Sequence, residues 1–260
     1  MRATKARFAP KFPRSSRIGV FAKAPNQVRF PPMTEDALPT ETALDTPAVS
    51  TPKTAEVAAY LAARMCHDFI SPASAIVSGL DLLDDPTAED MREDAMNLIA
   101  GSARKLADLL AFTRVAFGAS ASSETFDPRE LHKLALGLFR HMRAELDWQI
   151  EAPTLNKPAA RTILNLAQLA GAALPMGGTA SIRAVEQAGQ VAIAVEAKGP
   201  KARLRPEVAA GLEGQPMGDG LHGHWVQAYY MHQFIEDAGG KIFSKVEEDA
   251  VVFAATLAIA

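Results

Sequence analysis

The chain has 260 residues, 48% of them hydrophobic, with 27 basic and 30 acidic side chains and a formal net charge of −3. It is long enough for two modest domains, and it has no apolar run near the roughly 18 residues that span a bilayer. Its one cysteine, Cys66, excludes an internal disulfide and suits a reducing cytoplasm.

Residues 1–53 carry nine basic side chains against four acidic ones and eight of the seventeen prolines, with no sustained period, which predicts a disordered, basic, proline-rich tail. Pro10, Pro13, Pro25, Pro31 and Pro32 interrupt the amphipathic helix that a transit peptide needs, and nothing downstream reads as a nucleic-acid module. The odd composition of the first 32 residues leads to the expectation that translation begins at Met33.

The first folded unit is predicted over 54–118. Val57, Leu61, Met65, Phe69, Ala73, Ile76, Leu80 and Leu83 recur at helical spacing and form one apolar stripe. His67 falls on the opposite side and heads a lane of small side chains, Ser71, Ser74 and Ser78, that leaves room for another protein to reach the imidazole. Pro72 lies inside this pattern, where it costs about 3 kcal/mol and predicts a kink. Cys66 diverges from His67 by about 100° on a helix, poor geometry for a nucleophile and its base, and reads as a packed or half-buried thiol. A turn at 84–87 leads to a second helix, with Thr87 and Asp90 as its start signal. Met91, Ala95, Leu98, Leu106, Leu109, Phe112 and Ala116 line its apolar side as far as Gly118. Two such helices form an antiparallel hairpin, which best covers its apolar face against a second copy. The expected assembly is a homodimeric four-helix bundle carrying two outward-facing His67 side chains.

After a linker at 119–123, residues 124–260 mix both periods. Helical patterns fit 127–144, 157–174, 206–212 and 224–237; strand patterns fit 148–150, 179–185, 190–197, 241–246 and 251–258. That order predicts an α/β layer with helices on one face of a mixed sheet. His222 and His224 flank a glycine without further ligands at metal spacing, so no metal site is expected. His132, His141 and His232 read as surface or satisfied core residues, and Phe139, Tyr229 and Phe234 as helix packing.

The run from His67-Asp68-Phe69-Ile70-Ser71-Pro72 through Leu80, together with residues 197–208, resembles the ChpT family of alphaproteobacterial histidine phosphotransferases. The resemblance covers about residues 54–260. It implies a dimerisation and phosphotransfer hairpin joined to a sandwich like the ATP-binding domain of histidine kinases. It also implies His67 as phosphoacceptor through Nε2, suited by an imidazole pKa near 6.5, with Asp68 orienting the ring or accepting its proton. Geometry counts against Asp68, since i+1 neighbours on a helix face different ways. Arg64, Ser71, Pro72, Ser74 and Ser78 would shape the docking lane, with Arg64 placed to pair with Asp68 one turn on. Lys198, Lys201, Arg203 and Arg205 would offer a basic surface to an acidic receiver pocket.

Compared with kinase-type ATP domains, the likeness places Leu169, four residues after Asn165, where an asparagine would hold Mg²⁺. Leucine has no oxygen for a hard cation. Ala197 stands where an aspartate would read adenine, and Lys201 replaces a glycine at a bend; glycines survive at 218–223. The resemblance therefore implies no ATP binding and no cofactor held by this chain, with Mg²⁺ supplied by the partner. The implied partners are the receiver domain of a CckA-like hybrid histidine kinase and CtrA-like and CpdR-like response regulators. Two other readings stay open, an autophosphorylating histidine kinase and a non-catalytic receiver-binding adaptor.

Overall fold

The computed structural model describes residues 52–118, 125–187, 189–216 and 222–258. The expected tail up to residue 51, its start at Met33, the linker 119–123 and the glycines at 218 and 220 lie outside the described residues.

Two long helices come first, α1 (Thr54–Asp84) and α2 (Arg92–Ala116), packed along each other. Pro72 does not end α1: the helix runs on to Asp84 with the ring buried inside it. Proline has no N–H for the Asp68 carbonyl, and the seam with α2 carries the helix past that missing bond. Gly79 makes the seam close, since a Cβ there would fall 2.6 Å from Ile99 Cγ1. The turn differs from expectation. Asp85 Oδ1 accepts the Thr87 N–H at 2.8 Å and the Thr87 hydroxyl at 2.7 Å, and this local turn leaves no side-chain cap on α2, which a short 3-10 turn at Glu89–Met91 precedes.

The apolar stripe of α1 is buried only where another element covers it. Val57 and Leu61 pack against Trp225, Val226 and Tyr229, whereas Leu80 is 48% exposed. Two helices cover each other along one line only, so the outer side of the hairpin stays open.

The α/β layer begins with a two-residue clasp, β1 (Thr125–Phe126) antiparallel to β3 (Leu155–Asn156). Helix α3 (Pro128–Phe139) starts on Asp127, whose carboxylate accepts the Arg129 N–H at 2.8 Å, with Pro128 in the first turn. It stops at Phe139, short of the expected 144, because the chain turns to enter β2 (Ala144–Ile150). Helix α4 (Lys157–Ala172) is capped by Asn156, which accepts the Ala159 N–H at 2.9 Å. Strands β4 (Gly178–Gln187) and β5 (Gln190–Lys198), helices α5 (Pro206–Leu212) and α6 (His222–Asp237), and strands β6 (Lys241–Glu247) and β7 (Ala250–Ala258) complete it. The sheet order is β2-β4-β5-β7-β6, with β2 parallel to β4 and every other pair antiparallel.

One face of that sheet is apolar: Val191, Ile193, Val195 and Ala197 of β5 are buried in alternation, against a core that includes α3, α4 and α6. The end of α2 enters the same core through Phe112 and Ala116. The fold class read from the sequence, a helical hairpin followed by an α/β layer, is the one observed.

Candidate functional site

His67 projects from the middle of α1 with 86% of its side chain exposed. Ser71, Ser74 and Ser78 are exposed along the same face, so the lane predicted from spacing lies in solvent. Pro72 does not belong to it. The ring is buried, because position 72 turns towards α2 while 71 and 74 turn outward.

Asp68 reaches His67 despite its i+1 position. Its Oδ1 lies 3.6 Å from His67 Nδ1, too long for a hydrogen bond but within ion-pair range, and its Oδ2 lies 3.8 Å from Arg64 Nε. The carboxylate therefore stands between the two. With Nδ1 turned towards Asp68, Nε2 is the ring nitrogen left facing solvent.

Arg64 faces Asp68, as its place one turn earlier on the helix predicts, but it is not free to dock a partner. Only 17% of its side chain is exposed, and Nη1 donates to the Gly223 carbonyl at the start of α6. Burial and the nearby Arg205 lower its pKa from the usual arginine value, while Asp68 pulls the other way.

Arg64, His67, Asp68 and Ser71, but not Ser74 or Ser78, line a cleft of about 350 Å³ with Lys105 of α2, His141 after α3 and Gln168 of α4. Sequence reasoning missed all three as site residues, since they come from separate elements without a shared local pattern. His141 also ties the hairpin to the α/β layer, with Nε2 3.0 Å from Asp108 Oδ2 of α2. Arg140 approaches the same oxygen at 3.5 Å.

The basic run divides in two. Arg203 and Arg205 line a small depression with Arg64, Gln168, His224 and Gln227. Burial, then the charges of Arg205 and Arg64, lower the pKa of His224. Lys198 ends β5 and Lys201 sits in the turn beyond it; neither lines the depression or the cleft. Lys201 does occupy a left-handed bend, φ 59°, with its N–H donated to Asp249 Oδ1 at 3.0 Å.

Of the residues that the resemblance implies for Mg²⁺ and adenine, Leu169 and Ala197 have no oxygen in their side chains. Leu169 is buried and apolar. Asn165 is 1% exposed and its amide is already engaged: Nδ2 donates to the Ala116 carbonyl at 3.1 Å and the Arg161 carbonyl at 3.0 Å, and Oδ1 accepts from Gln227 Nε2 at 3.0 Å. Ala197 is fully buried in the sheet. Among the described residues no three His, Cys, Asp or Glu side chains cluster as a metal site, and no helix is long and apolar enough to cross a membrane. Cys66 is exposed rather than packed.

Residues 128–250 match the family model described as histidine phosphotransferase C-terminal domain. Over 201 residues the chain is 33% identical to the protein phosphotransferase ChpT of Brucella abortus (strain 2308), which spans 77% of this chain and 95% of that protein. The solved structure of a bacterial phosphotransferase superposes with a TM-score of 0.71 at 31% identity, covering 80% of this chain and 98% of that one. The catalytic domain of histidine kinase ThkA superposes with a TM-score of 0.41 at 22% identity, over 52% of this chain and 93% of that one.

Proposed function

The chain belongs to the ChpT family of histidine phosphotransferases, and from that premise we propose that it carries phosphoryl groups between receiver domains on His67, without ATP. The observation that carries this reading is the placement of His67: an imidazole 86% exposed, with the Asp68 carboxylate 3.6 Å from its Nδ1.

The step balances without a nucleotide. The Nε2 lone pair attacks the phosphorus of an aspartyl phosphate on the donor receiver. An N–P bond forms, the P–O bond breaks, and its electron pair stays on the donor's carboxylate. Nδ1 keeps its proton, and the positive charge that develops on the ring faces Asp68. A second receiver's aspartate then attacks the same phosphorus, and the imidazole leaves neutral. Positioning and charge neutralisation supply most of the catalysis in such transfers, and Mg²⁺ belongs to the receiver's acidic pocket. The donor is the receiver domain of a CckA-like hybrid kinase, and the acceptors are CtrA-like and CpdR-like regulators.

The engaged Asn165 and the apolar Leu169 support a domain that has given up ATP for a scaffolding role. The open outer side of the hairpin, with Ile70 63% and Val77 56% exposed, supports a homodimer closed as a four-helix bundle.

The test incubates purified protein with a receiver domain carrying labelled aspartyl phosphate. We expect acid-labile label on His67, onward passage to a CtrA-like receiver, and loss of both in His67→Gln at unchanged thermal stability. Wild-type protein that takes no label from the receivers would overturn the relay. Label appearing from ATP alone would overturn the nucleotide-free reading.

A further inference from the structure

Three groups of graded exposure run inward from the phosphoacceptor. His67 is 86% exposed, Asp68 38% and Arg64 17%. Each Asp68 oxygen faces a different neighbour, Oδ1 towards His67 Nδ1 at 3.6 Å and Oδ2 towards Arg64 Nε at 3.8 Å. On its far side the guanidinium is fixed by the Gly223 carbonyl, on an element separate from α1. The planar fork of arginine suits such a double engagement, because its donors point in fixed directions from one rigid group.

A docking residue would be exposed and free to meet a partner, and Arg64 is neither. A residue that only stapled α1 to α6 would need the Gly223 contact but not the one to Asp68. Burying a guanidinium is costly unless it is paired, and Arg205 nearby adds like-charge repulsion. Arg64 remains there, behind the carboxylate that faces the reacting ring.

We propose that Arg64 is a positioning residue for phosphoryl transfer: anchored on Gly223, it holds Asp68 from behind so that the carboxylate favours the Nδ1–H tautomer of His67 and leaves the Nε2 lone pair aimed at the receiver. A ring nitrogen's tautomer is commonly set by the group that its partner nitrogen faces. This inference rests on His67 being the phosphoacceptor. It assigns Arg64 no contact with the phosphoryl group or the receiver.

The experiment uses the whole protein with ¹⁵N-labelled histidine, in wild-type, Arg64→Gln, Arg64→Lys, Asp68→Asn and doubly substituted Arg64→Gln/Asp68→Asn forms. In the wild type the His67 nitrogens should report mainly the Nδ1–H tautomer, and in Arg64→Gln the balance should move towards Nε2–H. Transfer from a phosphorylated receiver should slow about ten-fold in kcat with KM within about two-fold, and Arg64→Lys should recover part of that loss. In the Asp68→Asn background the Arg64 substitution should cost nothing more, since the two act through one path. An unchanged tautomer, an effect confined to KM, or losses that simply add would overturn the proposal. The tautomer arm needs no partner, so it reads Arg64 even if His67 takes no phosphoryl group. If Arg64→Gln fails to fold, Arg64→Lys carries the same test: a partly shifted tautomer balance together with a partial loss of kcat supports the proposal, and a shifted balance at full kcat, or a loss of kcat at an unshifted balance, overturns it.

Discussion

Asn165 works as a buried structural amide. Its amide joins the end of α2, through the Ala116 carbonyl, to Gln227 of α6, all of them buried. Replacing it by leucine fits the space but strands the Ala116 carbonyl and leaves the Gln227 amide with Gln168 Oε1, at 2.7 Å, as its remaining acceptor. A buried polar group without its partner costs about 1–3 kcal/mol, and one carbonyl stranded beside an amide left half-satisfied should lower stability by about 3 kcal/mol. For a folded unit of this size that is a fall in Tm of about 6–12 °C, measurable by scanning calorimetry. A Tm within about 2 °C of wild type would show that the amide network carries no load. The sequence made Asn165 legible as a residue of interest but not its partners, which lie 49 and 62 positions away along the chain. His67 was legible for the opposite reason: its lane of serines repeats at helical spacing within a single element. Arg64 fell between these cases. The i,i+4 pairing with Asp68 could be read from spacing, but the Gly223 carbonyl that removes it from the surface comes from α6, which no periodicity connects to α1.

At the scale of elements, the seam between α1 and α2 is set by Gly79. A Cβ there would meet Ile99 Cγ1 at 2.6 Å and the Ala95 carbonyl at 3.2 Å, and Ala95 is fully buried. Gly79→Leu should therefore wedge the helices apart and cost about 2 kcal/mol, within the usual range for overpacking. Urea unfolding should show the midpoint fall. Adding Ile99→Ala should recover part of it, because the side chain struck first is then gone; no recovery would place the cost on the Ala95 backbone instead. Element boundaries followed the sequence where pattern and punctuation agree. Helix α5, with Pro206 in its first turn, occupies the expected 206–212, and β4, β5 and β7 extend their expected runs by a few residues at most. They failed where a local turn outweighed the pattern. Asp85 took the Thr87 hydroxyl and N–H that were read as a helix cap, and the β1–β3 clasp is two residues long, too short for any period to announce.

For the whole molecule, the open outer side of the hairpin predicts a second copy as its cover. Ile70, Val77 and Leu80 of α1 and Met96 and Leu110 of α2 are each 48–63% exposed, an apolar density that a lone chain would leave in water. Positions 70, 77 and 80 follow helical spacing, so they form a seam rather than scattered side chains. A two-fold bundle places each seam residue against its counterpart or that residue's neighbours. Val77→Glu would then set two carboxylates, one from each copy, at the same dry contact, where an unpaired buried charge costs several kcal/mol. The same substitution on a monomer would be nearly neutral, because a glutamate there would be solvated. Sedimentation should therefore find wild type as a dimer at micromolar concentration and Val77→Glu as a folded monomer, with Leu110→Glu behaving alike. His67 lies outside that seam, so the monomers should keep an accessible imidazole and still take phosphoryl from a labelled receiver. A monomeric wild type, or a Val77→Glu dimer as tight as its parent, would move the partner of this apolar face from a second copy to something else.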